Sequence, residues 1–166
     1  MVQARTRPRR SKRAAAGAKA VNGDPVNFGP LAKWVGFRLR MAQEATFAAF
    51  SRLSREIGEN PGRFATLTLI AGNPGISQSR LSHATGRDTS SLTPVLDDLV
   101  RQGLVRRSRT DTDRRTYRLT LTPTGERTLT RLMDCARRHE RNLDRLIGPR
   151  DRARFLRVLK RLATIE

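Results

Sequence analysis

Acid, cysteine and long apolar runs are all scarce in this sequence, and each shortage excludes something. Cys135 is the single cysteine among 166 residues, so an internal disulfide framework is excluded and a reducing, cytoplasmic setting is expected. No stretch reaches the roughly 18 uninterrupted apolar residues that a membrane helix needs. A phosphate-cradling glycine loop, an HExxH pair and a nucleophile elbow are missing. The expectation is a protein that is not an enzyme and holds neither cofactor nor metal. Asp97 and Asp98 form a carboxylate pair, but neighbours on a helix point apart and do not share a substrate. Asp and Glu total 15 against 34 Lys and Arg, a formal charge of +19. That excess points to a polyanion, either nucleic acid or an acidic membrane face. A hydrophobic share of 37% still allows the core of one domain.

Residues 1–25 carry Arg5, Arg7, Arg9, Arg10, Lys12, Arg13 and Lys19, with no acid before Asp24. Having almost nothing to bury, they are expected to be a disordered arm, either adding phosphate contacts or simply solubilising the chain. An apolar signal region is missing there, although an Arg-rich, acid-poor start also fits a mitochondrial transit peptide.

Residues 30–58 read as one long helix, ended by Gly58, Asn60, Pro61 and Gly62. Trp34, Phe37, Met41, Ala45 and Ala48 fall at three- and four-residue steps, and Leu31, Val35, Leu39 and Ala42 mark a second stripe. A helix apolar on two sides is buried on two sides, and another subunit is the expected second partner. A short apolar helix follows over 63–72. Ser77 then caps a brief helix, with Ile76 and Leu81 at staple positions and Gly86 closing it. Leu92, Val95, Leu96 and Leu99 repeat at helical spacing up to Gly103. Two short helices around a glycine turn form the helix-turn-helix pattern. Pro94 bears on where the second helix starts. A cap at Asp88 would bury Pro94 in the helix and strip a hydrogen bond from the Ser90 carbonyl, so Ser90 or Ser91 is the preferred cap. Thr89, Ser90 and Ser91 then make an exposed polar cluster suited to phosphate or base edges.

Residues 104–107 and 117–121 read as two strands, the second alternating Tyr117, Leu119 and Leu121 with polar neighbours, joined by a polar turn over 108–115. From Arg101 to Arg118 there are seven Arg and two Asp. Thr122-Pro123 opens a long helix to about Ile147, with Leu129, Leu132, Met133, Ala136, Leu143 and Ile147 as its stripe. A last helix spans about 149–164, with Phe155, Leu156, Leu159, Leu162 and Ala163 inward.

The segments GISQSRLSHATGRDTSSLTPVLDDLVRQGLVRRS and DTDRRTYRLTLTPTGE, set in this element order, resemble the MarR family of bacterial winged helix-turn-helix regulators. The resemblance covers roughly residues 31–164. It implies a mainly α fold with a small β-wing. Residues 30–58 would be a dimerisation helix, 61–122 the winged helix-turn-helix lobe, and 123–164 the C-terminal dimerisation helices. It also implies a homodimer on double-stranded DNA, reading a pseudo-palindrome with half-sites about 10 bp apart. By matching positions, Thr89, Ser90, Ser91 and Thr93 face the major groove, and Ser77 and Gln78 contact DNA from the helix before the turn. On the wing, Arg115 is the minor-groove arginine, with Arg114 beside it, Asp113 bracing the turn, and Arg109 adding charge. Trp34, Phe37, Arg38 and Met41 fall where the family keeps its effector cleft, an aromatic wall whose arginine suits a small aromatic or phenolic acid. At helical spacing the same side chains also serve as core or dimer contacts. The implied function is a repressor released by a small ligand. The alternative is a sequence-independent nucleic-acid-packaging protein driven by charge and the basic arm.

This sequence departs from the family in one respect. No basic residue lies between Asp88 and Val100, so bidentate arginine-to-guanine readout from that helix is not expected. Specificity then rests on hydroxyl and methyl contacts and on groove width. Gly36 stands where peroxide-sensing members carry their cysteine. Cys135 reads either as a packing residue or as a thiol activated by Arg137 and Arg138. Cys135 and His139 are spaced to meet one metal, but His83 is the only other histidine and completes no set.

Overall fold

The computed structural model describes residues 26–110 and 113–165, with residues 110 and 113–116 given by backbone alone. The arm expected over 1–25 lies outside the described residues. The chain divides into two units, one ending at Arg40 and the other beginning at Met41.

The first unit holds a 3-10 turn, Gly29–Lys33, and the opening of α1 (Val35–Leu53). The single helix expected over 30–58 is therefore interrupted at both ends. Pro30 starts the 3-10 turn, and Trp34 closes it with an extended backbone (ψ 129°), its N–H donating to Leu31 O. At the other end Ser54 spends its hydroxyl on two carbonyls, Phe50 O at 3.1 Å and Glu59 O at 2.6 Å. Such local side-chain bonds compete with the helix ladder. Gly58, at φ 76°, then reverses the chain. Asn60-Pro61, expected to end the first helix, instead starts α2 (Pro61–Gly72). The Asn60 side chain accepts from Arg63 N at 3.0 Å, and Pro61 sits in the first turn, where its missing N–H costs nothing.

In the second unit α3 (Gln78–Thr85) and α4 (Thr89–Arg101) follow α2, and a three-stranded antiparallel sheet forms in the order β1-β3-β2. β1 is Ile76–Ser77, β2 Val105–Thr110 and β3 Asp113–Leu121. The hairpin strands are longer than expected. Arg109 pairs with Tyr117, and only residues 111–112 separate the strands. β1, two residues long, is too short to show a period. Leu67, Ile70, Leu81, Leu92, Leu96, Leu99, Leu119 and Leu132 are fully buried and form one core shared by α2 to α5 and the sheet.

α5 (Pro123–Ile147) starts where expected, with Thr122 Oγ1 accepting from Gly125 N at 3.0 Å and donating to Gly103 O at 2.5 Å. Gly125 is buried against β2's approach, and a β-carbon there would collide with Leu104 O and stand 3.0 Å from Leu104 C. α6 is Arg152–Leu162, shorter than expected, and nothing in it is buried. Phe155, Leu156 and Val158 are 43%, 47% and 43% exposed, so the inward face expected of this helix is uncovered in the single chain. α1 likewise buries only Phe50. Both helices carry more apolar surface than one chain can cover.

Candidate nucleic-acid interface

The helix-turn-helix is built from local hydrogen bonds. Ser77 caps α3, accepting from Arg80 N at 3.3 Å. Gly86, at φ 64°, ends it in the left-handed region, and Ser82 Oγ ties the turn by donating to Arg87 O at 2.5 Å. Gln78 Nε2 donates to Thr93 Oγ1 at 2.8 Å, joining α3 to α4, and the Thr93 hydroxyl donates to Thr89 O at 2.8 Å.

The cap of α4 is Asp88, not Ser90 or Ser91, and Pro94 lies inside the helix. The carboxylate is the stronger competitor. Asp88 Oδ1 accepts from Ser91 N at 2.7 Å and from Ser90 Oγ at 2.5 Å, which outweighs the single hydrogen bond that Pro94 removes. The Ser90 hydroxyl, then the Ser91 amide and hydroxyl, hold the Asp88 carboxyl down at about 2. Its contribution is complete above the ordinary carboxylate range and is lost as pH falls toward that value. In an NMR titration the Asp88 carboxyl is expected to stay ionised to about pH 2. Ser90→Ala should move the midpoint upward, and an unmoved midpoint would remove Ser90 from the cap. Thr89, Ser90 and Ser91 remain exposed at the helix start, and Thr93, Ser77 and Gln78 are half-buried beside them.

On the wing, Arg109 is exposed, donating to Tyr117 Oη at 2.8 Å with its guanidinium 5.2 Å from that ring's centre. Asp113, Arg114 and Arg115 begin β3 by backbone, and their side chains lie outside the described residues. Sequence reasoning passed over Arg80 and Arg87 in the helix-turn-helix and Arg106 and Arg118 on the sheet. All four are exposed and form no ion pair among the described residues. Their signal was present in the charge count but not in any spacing.

The C-terminal half of α4 is held by ion pairs. Asp97 Oδ1 meets Arg107 Nη1 of β2 at 2.6 Å. Asp98 pairs with Arg63 of α2 and with Arg101. Arg63 Nη2 also donates to Gln102 Oε1 at 2.8 Å, and Arg63 Nε lies 2.5 Å from Glu59 Oε2. Burial pushes the Glu59 carboxyl up, against the lowering pull of Arg63.

Of the expected effector residues, Trp34 is exposed, Phe37 leans on Phe28 with ring centres 5.4 Å apart, and Arg38 Nε donates to Ala32 O at 2.8 Å. Met41 is exposed on α1. A cavity of about 220 Å³ opens elsewhere, between α1, α2 and α5. It is lined chiefly by Phe47, Phe50, Pro61, Phe64, His139 and Gln43. Phe50 stacks on Phe64 at 5.3 Å and meets His139 edge-on at 5.7 Å. Sequence reasoning missed this site because its walls come from three distant segments. Cys135 is buried, its thiol donating to Leu53 O at 3.2 Å and its sulfur accepting from Arg138 Nη2 at 3.6 Å, while Arg137 pairs with Asp134 instead.

The family model described as the MarR family matches residues 60–117. The chain is 37% identical over 147 residues to a transcriptional regulatory protein for the hcr operon of Thauera aromatica, covering 87% of this chain and 89% of that one. The solved structure of the transcriptional repressor CouR bound to a 23-mer DNA duplex matches with a TM-score of 0.77 at 32% identity, over 84% of this chain and 99% of that one. CouR bound to p-coumaroyl-CoA matches at 0.78 and 30% identity, over 85% and 99%. The PcaV regulator from Streptomyces coelicolor, in complex with its natural ligand, matches at 0.73 and 25% identity, over 83% and 97%.

Proposed function

The chain belongs to the MarR family of transcriptional regulators, and from that premise we propose that it is a homodimeric repressor that a small aromatic ligand releases from a pseudo-palindromic DNA site. The observation that carries the proposal is the Asp88-capped helix α4, exposed at Thr89, Ser90 and Ser91 and set beside a basic wing. A helix N-terminus with exposed hydroxyls, whose oxygens can still accept, suits base edges and phosphates, and a β-ribbon suits the minor groove beside it. In this proposal Thr89, Ser90, Ser91 and Thr93 read the major groove, Ser77 and Gln78 contact the backbone, and Arg109, Arg114 and Arg115 serve the wing with Asp113 bracing its turn. The packaging alternative is not favoured, because CouR, which is similar over nearly its whole length, is a transcriptional repressor, solved bound to a 23-mer DNA duplex.

For the ligand, the cavity between α1, α2 and α5 is the better host. It is a cleft of about 220 Å³ open to solvent, and three phenyl rings line it, which suits an aromatic ring entering from the surface. CouR with p-coumaroyl-CoA and PcaV with its natural ligand support a ligand response. Trp34, Phe37, Arg38 and Met41 are the alternative, with Arg38 already engaged at Ala32 O.

The test is binding to DNA flanking the chain's own gene, with and without p-coumaroyl-CoA and phenolic acids. A protected site that the ligand weakens is expected, whereas equal binding to random DNA would restore the packaging reading. Arg115→Ala should lower affinity and reduce the salt slope by about one. A slope that does not change would strike Arg115 from the contacts.

A further inference from the structure

With no basic side chain between Asp88 and Val100, α4 depends for its reading of DNA on how the helix itself is held. Asp97 and Asp98 leave the helix roughly 100° apart. Each takes a guanidinium from a different element, Arg107 of β2 at 2.6 Å and Arg63 in the first turn of α2. The Arg63 side chain is 13% exposed, with Glu59 behind it and Gln102 of the helix end in front. Arg107 Nε and Nη2 are buried without a partner among the described residues, so its anchor there is Asp97. The Arg63–Asp98 pair is largely enclosed, so its Coulomb gain is mostly offset by dehydration. Asp97 of the other pair is 54% exposed, where an ion pair stabilises little, so neither pair is an effective way to stabilise a short helix. Two struts at a wide angle are an effective way to fix a rod's rotation and pitch.

We propose that Arg63 and Arg107 are positioning residues for DNA recognition, setting from α2 and from the wing the angle at which α4 meets the groove, and that Arg63 alone carries the signal of an occupant of the aromatic cavity. The second half rests on the ligand-released repressor proposed above. Its basis is adjacency: Pro61 and Phe64, in the same turn as Arg63, line the cavity, and Arg107 does not. A ligand that shifts Pro61 and Phe64 moves the root of one strut and leaves the other in place.

The experiment compares operator and random duplex in the full-length protein, with p-coumaroyl-CoA as the probe. Arg107→Gln is made alone. Arg63→Gln is made with Glu59→Gln, so that no buried carboxylate is stranded, and Asp97→Asn and Asp98→Asn repeat each cut from the other side. Each cut is expected to lower operator affinity about tenfold while random-duplex affinity falls far less. Arg63→Lys should recover part of the loss. The probe should still weaken operator binding in Arg107→Gln and cease to do so in the Arg63 variant. Parallel losses on both duplexes would make the two arginines phosphate contacts or fold props and overturn the struts. A full probe response in the Arg63 variant would overturn the link. A wild type indifferent to the probe would count against the ligand-released reading and remove the link with it, while the ratio of the two affinities still decides the struts.

Discussion

Gly125→Ala is expected to lower the thermal midpoint by roughly 10 °C, for the addition of a single methyl group. Gly125 lies three residues into α5, and its β-carbon would strike the Leu104 carbonyl. That carbonyl cannot simply move, because it accepts from Thr122 N at 3.0 Å and from the Thr122 hydroxyl at 3.3 Å. Nor can the helix back away, because Thr122 caps it through Gly125 N. The collision is backbone against backbone, so the cost belongs at the upper end of overpacking, about 3 kcal/mol. At roughly 2–4 °C per kcal/mol for a chain of this size, that gives the expected drop. Calorimetry at fixed protein concentration checks it, because subunit association also contributes to the midpoint. Thr124→Ala, one residue away and exposed, should change little. If Gly125→Ala melted like the wild type, the close approach of α5 to Leu104 would be wrong.

Leu156→Glu should leave the chain monomeric and cut operator affinity by about 100-fold or more. Phe155, Leu156, Leu159 and Leu162 form one stripe on α6, and the single chain leaves it exposed or at best half-covered. In the homodimer a second copy covers such a stripe, and a carboxylate placed on it would be buried unpaired. Losing the dimer also loses the linkage between half-sites, which is where the factor comes from. Light scattering and anisotropy on a full operator read the effect. A duplex with one half-site should bind the variant and the wild type alike. A variant that stays dimeric would show that this stripe is not the interface.

Where one residue type decides a local geometry, the sequence was legible. Ser77, Gly86 and Thr122-Pro123 mark helix ends by themselves, because a hydroxyl acceptor, a left-handed backbone and a fixed φ each permit little else. Where two local preferences compete, it was not. Pro94 argued against Asp88 as the cap, and the carboxylate prevailed because it gathers two bonds where the proline removes one. Asn60-Pro61 reads equally well as a stop or a start. Asp97 and Asp98 do diverge as expected of helix neighbours, but Arg107 and Arg63, their partners, lie on other elements and no spacing announces them. The cavity was hidden for the same reason, since Phe47, Phe64 and His139 meet only in three dimensions. The stripe of α6 was legible as apolar, and the single chain leaves it open because covering it takes a surface that this chain does not supply to itself.

The flanks of that stripe have a further consequence. Arg154, Arg157, Lys160 and Arg161 line the same helix, none of them paired with an acid among the described residues, on a chain that already carries +19. Bringing two such copies together is electrostatically uphill, and dissolved ions relieve it, shortening the reach of each charge to about 10 Å at 0.1 M. The same ions weaken the hold on phosphate. Ionic strength therefore pulls the two equilibria in opposite directions, and operator affinity is expected to fall less steeply with salt than the phosphate contacts alone would make it, which a salt titration of operator binding reads. In dilute buffer the duplex is itself the neutralising counter-charge, and the pair assembles more readily on it than beside it.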